Sequence, residues 1–163
     1  MTEHYSSVQL EAFRLTAEVV RKEAVHLKQT HGRLFAVIID ASWVKALDAD
    51  QDSAERVEAF VSRFGRLQDT LGEKMLTRMA SLAGQRPMAM IELLASAEKL
   101  GWIASADKWL EWKKFHDRLA HEYMTDTEEF TQALNVADKA ARELLEAETT
   151  IRDHATRLGM LSG

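Results

Sequence analysis

The sequence predicts an all-α protein, an antiparallel bundle of four or five helices. Only one proline and seven glycines interrupt its 163 residues. Between them lie long stretches of Ala, Leu, Glu, Lys, Arg and Met, which have favourable helix propensities. Apolar side chains recur there at steps of three and four, the period of one face of an amphipathic helix. Such faces must be buried against one another, so a bundle is the economical arrangement.

The sequence of the first half of the chain predicts two long helices. The connection between them is open to two interpretations, strand or loop. The first helix covers about residues 6–28 and stops before His31-Gly32. Residues 34–39 are a short apolar run, either buried strand or loop, and residues 42–47 read as one or two helical turns. Ser53 is a plausible N-cap for the second long helix, which reaches about residue 82 before Gly84. Its apolar stripe comprises Val57, Phe60, Val61, Phe64, Leu67, Leu71, Met75, Met79 and Leu82.

The second half predicts three more helices from their start and stop signals. Pro87 suits a first helical turn, so the third helix covers residues 87–100 and ends before Gly101. Ser105 caps a fourth helix over residues 106–123. Residues 125–128 have capping-box spacing and open a fifth helix that ends before Gly159. Because no repeat or linker is visible, residues 1–163 are predicted to form one domain.

Composition excludes several classes of function. Lys and Arg total 21 against 26 Asp and Glu, so the net charge of −5 argues against a broad basic surface that coats duplex DNA. The absence of cysteine excludes disulfides, thiolate metal sites and a cysteine nucleophile. No metal-ligand motif and no glycine-rich phosphate loop is found, so neither a metal nor another cofactor is expected. The start of the chain is unlike a signal peptide and no apolar stretch reaches membrane-spanning length, so we expect a cytoplasmic protein that does not bind membranes.

Residues 113–126, KKFHDRLAHEYMTD, concentrate the side chains that could do chemistry. On a helix, Lys114, Asp117, Arg118 and His121 lie three, four and seven residues apart and therefore share one face. A histidine with a pKa of about 6.5 exchanges protons near neutral pH, and an arginine can donate two hydrogen bonds to a phosphate. This combination suits phosphodiester chemistry. The alternative is an ordinary exposed face of neighbouring charges, which residue composition alone favours.

Residues 117–123, DRLAHEY, resemble the signature of the HEPN superfamily, in particular the HepT-like proteins paired with small nucleotidyltransferases. The family pattern begins with an arginine, usually followed by Asn or Asp. A histidine stands five residues after the arginine, and any residue and a tyrosine follow the histidine. Here Asp117 matches the Asn/Asp place, while His121 and Tyr123 match the last two. The place of the family's catalytic arginine is occupied by His116. Residues 63–69, RFGRLQD, resemble an earlier helix of the same group.

The resemblance implies a metal-independent RNA endonuclease that works as a homodimer. His121 would exchange protons with the ribose 2′-OH or the leaving 5′-oxygen. The cation that stabilises the phosphorane would be Arg118, Lys114 or protonated His116, and no arginine stands at the family position. Lys114 and Asp117 are the candidate substrate-binding residues. The ribose 2′-OH explains why RNA and not DNA would be cut.

The resemblance also implies a partner and a modification. In HepT-like systems, a cognate nucleotidyltransferase antitoxin adds AMP to the motif tyrosine and silences the toxin; Tyr123 matches that tyrosine. Because the motif arginine is missing, a second interpretation is a non-catalytic HEPN subunit that serves as the binding or substrate partner of its nucleotidyltransferase. A third is a helical bundle in which the motif is coincidental.

Three other sets of residues are predicted to be structural. Gly65, inside the second long helix, indicates a close approach of another helix. Arg63, Arg66 and Asp69 form one polar face of that helix and are expected to pair internally or to lie at an interface. The tryptophans are expected in the core or in a subunit interface, namely Trp43, Trp102, Trp109 and Trp112.

Overall fold

The computed structural model of the protein describes residues 5–122 and 125–162. Their regular structure is entirely helical, which confirms the all-α prediction. No helix in these residues has the length and the hydropathy needed to cross a lipid bilayer. The helices are α1 (Ser7–Leu34), α2 (Ala41–Lys45), a 3-10 turn (Ala46–Ala49), α3 (Gln51–Asp69), a π-helical segment (Thr70–Leu76), α4 (Thr77–Leu82), α5 (Met90–Lys99), α6 (Ala106–Glu122) and α7 (Thr127–Arg157).

Helix α1 begins as predicted but ends later. Ser6 is its N-cap, and the Ser6 hydroxyl accepts a hydrogen bond from the Gln9 amide at 3.5 Å. The helix continues through Gly32 to Leu34, so the predicted end near residue 28 is wrong. A helical glycine costs about 1 kcal/mol relative to alanine, which the burial of Leu34 in the core outweighs.

The connection after α1 is a loop and not a strand. Beyond the end of α1 at Leu34, Val37 and Ile38 of the apolar run are exposed, and Ile39 is buried against the core. Asp40 caps α2, since its carboxylate accepts a hydrogen bond from the Trp43 amide at 2.8 Å. The predicted helical turns over residues 42–47 are present as α2 and the 3-10 turn.

The predicted second helix is one continuous rod over residues 51–82, composed of α3, the π-helical segment and α4. Its N-cap is Asp50 and not Ser53, because Asp50 accepts hydrogen bonds from the Ser53 amide at 3.1 Å and from its hydroxyl at 2.7 Å. Every predicted stripe residue is buried except the half-buried Val61. The widening into a π-helix at residues 70–76 was not predicted.

The later helix boundaries are partly as predicted. Pro87 precedes α5, which begins only at Met90, so the predicted start of the third helix is wrong. Ser105 caps α6 as predicted, with its hydroxyl 3.1 Å from the Lys108 amide. Helix α7 is capped by Asp126, one residue after the capping-box position expected for Thr125.

The long helices pack antiparallel around one core. The rod over residues 51–82 runs antiparallel to α1, so Arg63 meets Thr30 and Arg78 meets Thr16. Helix α6 lies on the other side of the rod, and α7 packs against both α1 and α6. The apolar residues that predict the first helix are Val8, Phe13, Leu15, Val19, Val20 and Leu27. Of these, Val8, Leu15 and Val19 are exposed. The largest fully buried side chains include Phe13, Phe60, Phe64 and Phe130.

Candidate functional site

The predicted polar face of α6 is exposed to solvent. Lys114, Asp117, Arg118 and His121 all lie on the exposed part of this helix. The Arg118 guanidinium forms an ion pair with Glu129, in the first turn of α7. Within the part of the chain that the structure describes, no hydrogen bond or ion pair joins Lys114, Asp117 and His121 to one another. One copy of the chain therefore presents these groups side by side without assembling them into a bonded cluster.

His116 is turned towards α3 and away from this face. Its side chain is only 26% exposed. The imidazole stacks on Phe64, with ring centroids 6.4 Å apart and an angle of 21° between the planes. Its Nδ1 lies 3.7 Å from the Asp117 carboxylate. At position 116 this chain therefore has a side chain that packs two helices together.

Two glycines of the rod make this approach possible. A Cβ at Gly65 would lie 2.5 Å from Cε1 and 2.6 Å from Cδ2 of His116, and one at Gly72 would lie 2.8 Å from Nε1 of Trp109. Gly65 and Gly72 are seven residues apart, as are Trp109 and His116, so the antiparallel helices meet in register. The close approach predicted at Gly65 is confirmed. Gly72 was missed, although its spacing from Gly65 was visible in the sequence.

The π-helical segment lies at the same contact. Gly72 lies within Thr70–Leu76, where the rod widens against Trp109. The buried side chain of Gln68 donates a hydrogen bond of 3.1 Å to the Trp109 carbonyl. A local π-helix changes the direction of the following side chains, and in proteins it often accompanies a special contact. Here it accompanies the insertion of an indole ring against a glycine.

Mixed charges surround the contact between the rod and α6. Burial raises the pKa of Asp69, and the neighbouring Glu73 carboxylate adds to this rise, while Lys113 and His116 oppose it. Lys113 lies 3.4 Å from Glu73 across the two helices. Both of these side chains are more than half exposed, so this pair contributes little to stability. The charged side chains around this contact can therefore exchange their internal ion pairs for contacts with a partner at a small cost in free energy.

A groove of about 660 Å³ lies between α6 and α7. Trp109 and Trp112 form part of its wall, with ring centroids 5.4 Å apart. Lys108 lies 2.7 Å from Glu143 at the same groove. The sequence predicted both tryptophans in the core or in a subunit interface, and both are buried. It did not predict a cavity beside them.

Tyr123 lies outside the described residues, so its role as AMP acceptor stays a prediction. Within residues 5–122 and 125–162, no group of three or more His, Asp or Glu side chains is arranged to hold a metal ion. Comparison with known proteins brings no match: no family model, no curated protein and no solved structure aligns significantly with this chain.

Proposed function

We propose that this protein is the HEPN-like member of a nucleotidyltransferase-linked toxin–antitoxin pair, and that it serves as the binding and substrate subunit of the nucleotidyltransferase. The proposal starts from the resemblance of residues 117–123 to the HEPN signature. The all-helical fold and the exposure of Asp117, Arg118 and His121 near the end of α6 are consistent with it. The partner would contact the exposed face that carries Lys114, Asp117, Arg118 and His121.

The packing of His116 is the observation that favours a binding role over a catalytic one. HEPN cleavage chemistry needs a cation beside the histidine, and His116 occupies the cation's place in the motif. Its ring is stacked on Phe64 and lies on Gly65, so it is not free to move to a phosphate that is bound beside His121. Arg118 is engaged by Glu129, although such an exposed pair is worth only about 0–1 kcal/mol and a partner can open it.

Modification by the partner enzyme tests this role. The proposed cognate nucleotidyltransferase, incubated with this protein and ATP, is expected to form a complex with it and to transfer one AMP to the Tyr123 hydroxyl with release of pyrophosphate. Mass spectrometry should find the added mass in wild type and in Tyr5→Phe but not in Tyr123→Phe, since the chain has only two tyrosines. An active nucleotidyltransferase that neither binds nor modifies this chain would contradict the proposal.

A second candidate is a metal-independent endoribonuclease, favoured by the exposure of His121 at the end of α6. In this reaction the histidine takes the proton of the ribose 2′-OH, and the 2′-oxygen attacks the phosphorus. The 5′-oxygen leaves with a proton, which gives a cyclic phosphate and a 5′-hydroxyl. Two copies of the chain that face each other would supply one histidine as base and one as acid, together with two Arg118 side chains.

An RNA cleavage assay separates the two candidates. The binding role predicts that the purified protein leaves RNA intact, with or without a chelator. Cleavage that resists chelators, is lost in His121→Ala and persists in His26→Ala would instead establish the nuclease, since both histidines are exposed. Arg118→Ala should then weaken cleavage more than Lys114→Ala. Sedimentation as a monomer at micromolar concentration would contradict the homodimeric cleft on which this candidate depends.

A further inference from the structure

A polar groove of about 410 Å³ lies between α1 and α3, away from the α6 face. It joins the C-terminal half of α1 to the N-terminal half of α3. Three guanidinium groups and two carboxylates line it, in a chain whose net charge is −5. The charged and hydroxyl side chains are Thr30, Arg33, Asp52, Glu55, Arg56 and Arg63.

Arg63 is held rigidly at this groove. Its Nη1 donates to the backbone carbonyl of His26 at 3.2 Å and to the Thr30 hydroxyl. Thr30 is itself buried, and its hydroxyl donates to the same carbonyl at 3.1 Å. These bonds use only Nη1 of the guanidinium. The side chain has therefore already lost its rotamer freedom, and a ligand that takes the other donors has little ordering cost to overcome.

Arg56 has a donor that the protein leaves unsatisfied. Its Nε is buried and has no hydrogen-bond partner in the described residues. Among the described residues, Arg56 and Arg33 have no ion-pair partner within 4.0 Å. A buried N–H without an acceptor costs free energy, and the cost is greater for a charged group. The Arg56 guanidinium lines the groove without an ion-pair partner in the described part of the chain, and an oxyanion in the groove would neutralise its charge.

We propose that this groove binds a phosphate group, either as inorganic pyrophosphate or as the phosphates of a nucleotide. Guanidinium forks match the spacing of phosphate oxygens and donate two hydrogen bonds at once. The lining has no aromatic side chain on which a base could stack, so the phosphates are the part recognised. Asp52 and Glu55 leave the groove only one positive charge in excess, which suits a small anion better than a nucleic-acid backbone.

Calorimetric titration of the full chain with pyrophosphate and with ADP tests the proposal, at ionic strength held constant with sodium chloride. Both ligands should bind with similar affinity. Arg56→Gln should weaken the binding of both about tenfold or more, and Arg33→Gln several-fold. The control Arg86→Gln, which removes an equal charge from the exposed loop over residues 83–89, should leave binding unchanged.

Three results would overturn the site. One is the absence of binding beyond that of the chloride-matched buffer. Another is binding that Arg56→Gln leaves unchanged or that Arg86→Gln weakens equally. The third is binding of ADP without binding of pyrophosphate, which would place recognition on the nucleoside. Arg33 is exposed at the end of α1, so its variant keeps the test decisive even if Arg56→Gln impairs folding.

Discussion

The imidazole of His116 lies directly on the backbone of Gly65, where the rod formed by α3 and α4 meets α6. Gly65 is buried within α3 and has no side chain to separate the two helices. The ring fills this space and stacks on Phe64 at the same time. The contact makes His116 part of the packing between the rod and α6.

Replacement of Gly65 by alanine should therefore destabilise the fold. Alanine favours a helix by up to about 1 kcal/mol over glycine, but overpacking typically costs about 1–3 kcal/mol. We expect a net loss of roughly 1–2 kcal/mol in the free energy of unfolding by urea. The control is Gly32→Ala in α1, where an added Cβ meets nothing within 4 Å, and which should be neutral or stabilising by up to about 1 kcal/mol.

A double-mutant cycle shows whether the imidazole is the cause. In a His116→Ala background, the cost of Gly65→Ala should fall by more than half, since the ring that the new Cβ meets is gone. An unchanged cost in that background would assign the effect to another neighbour of Gly65.

The start of α7 gives a second prediction, about capping. The Asp126 carboxylate accepts a hydrogen bond of 3.1 Å from the Glu129 amide. Thr125 instead donates to the carbonyl of His121 at 3.4 Å. Asp126→Ala should lower the unfolding free energy by about 0.5–2 kcal/mol, and Thr125→Ala clearly less. The reverse order in thermal or urea unfolding would restore Thr125 as the cap.

Two buried threonines of α1 give a third prediction. The Thr16 and Thr30 hydroxyls each accept a hydrogen bond from an arginine of the rod, Arg78 and Arg63 respectively. Valine has almost the same shape but no hydroxyl, so Thr30→Val leaves a charged donor without one acceptor. We expect each substitution to cost about 1–3 kcal/mol in urea unfolding. Thr149→Val, on an exposed position of α7, should change stability by less than about 0.5 kcal/mol.

Glu23 gives a fourth prediction, about pH. Burial raises its pKa above the ordinary value of 4.5, although the Thr70 hydrogen bond, Arg66 and Lys74 oppose the rise and Asp69 adds to it. Its Oε2 is buried and has no hydrogen-bond partner in the described residues. The folded state therefore holds this proton more tightly than the unfolded state does. Its contribution to stability is present below the ordinary pKa and is lost as the pH rises through the folded pKa.

Glu23→Gln removes this proton-linked contribution. The stability of the variant relative to wild type should therefore increase between about pH 4 and pH 7 in denaturant titrations. Glu58→Gln, on an exposed position of α3, should show a much smaller change over the same range. A difference between Glu23→Gln and wild type that does not vary with pH would contradict the assignment.

The sequence by itself determined the helical class and most of the long helices. Apolar spacing and helix propensity are local properties, and each long stretch repeats them over several turns. The buried stripe of residues 57–82 and the cap at Ser105 follow from such local signals. The contact at Gly65 is a tertiary contact that the sequence partly predicted, since a glycine inside a strong helical pattern indicated that another helix comes close.

Only the tertiary structure decided which side chain meets which. Arg118 pairs with Glu129, eleven residues later, because the antiparallel return of α7 brings this carboxylate to it. Likewise α1 continues past Gly32 because Leu34 reaches the core, which its local sequence does not indicate. The role of His116 depends on Gly65, a residue 51 positions earlier in the chain. Such pairings result from the relative placement of whole helices, because side-chain contacts between helices are set by their register and distance and not by the spacing within either helix.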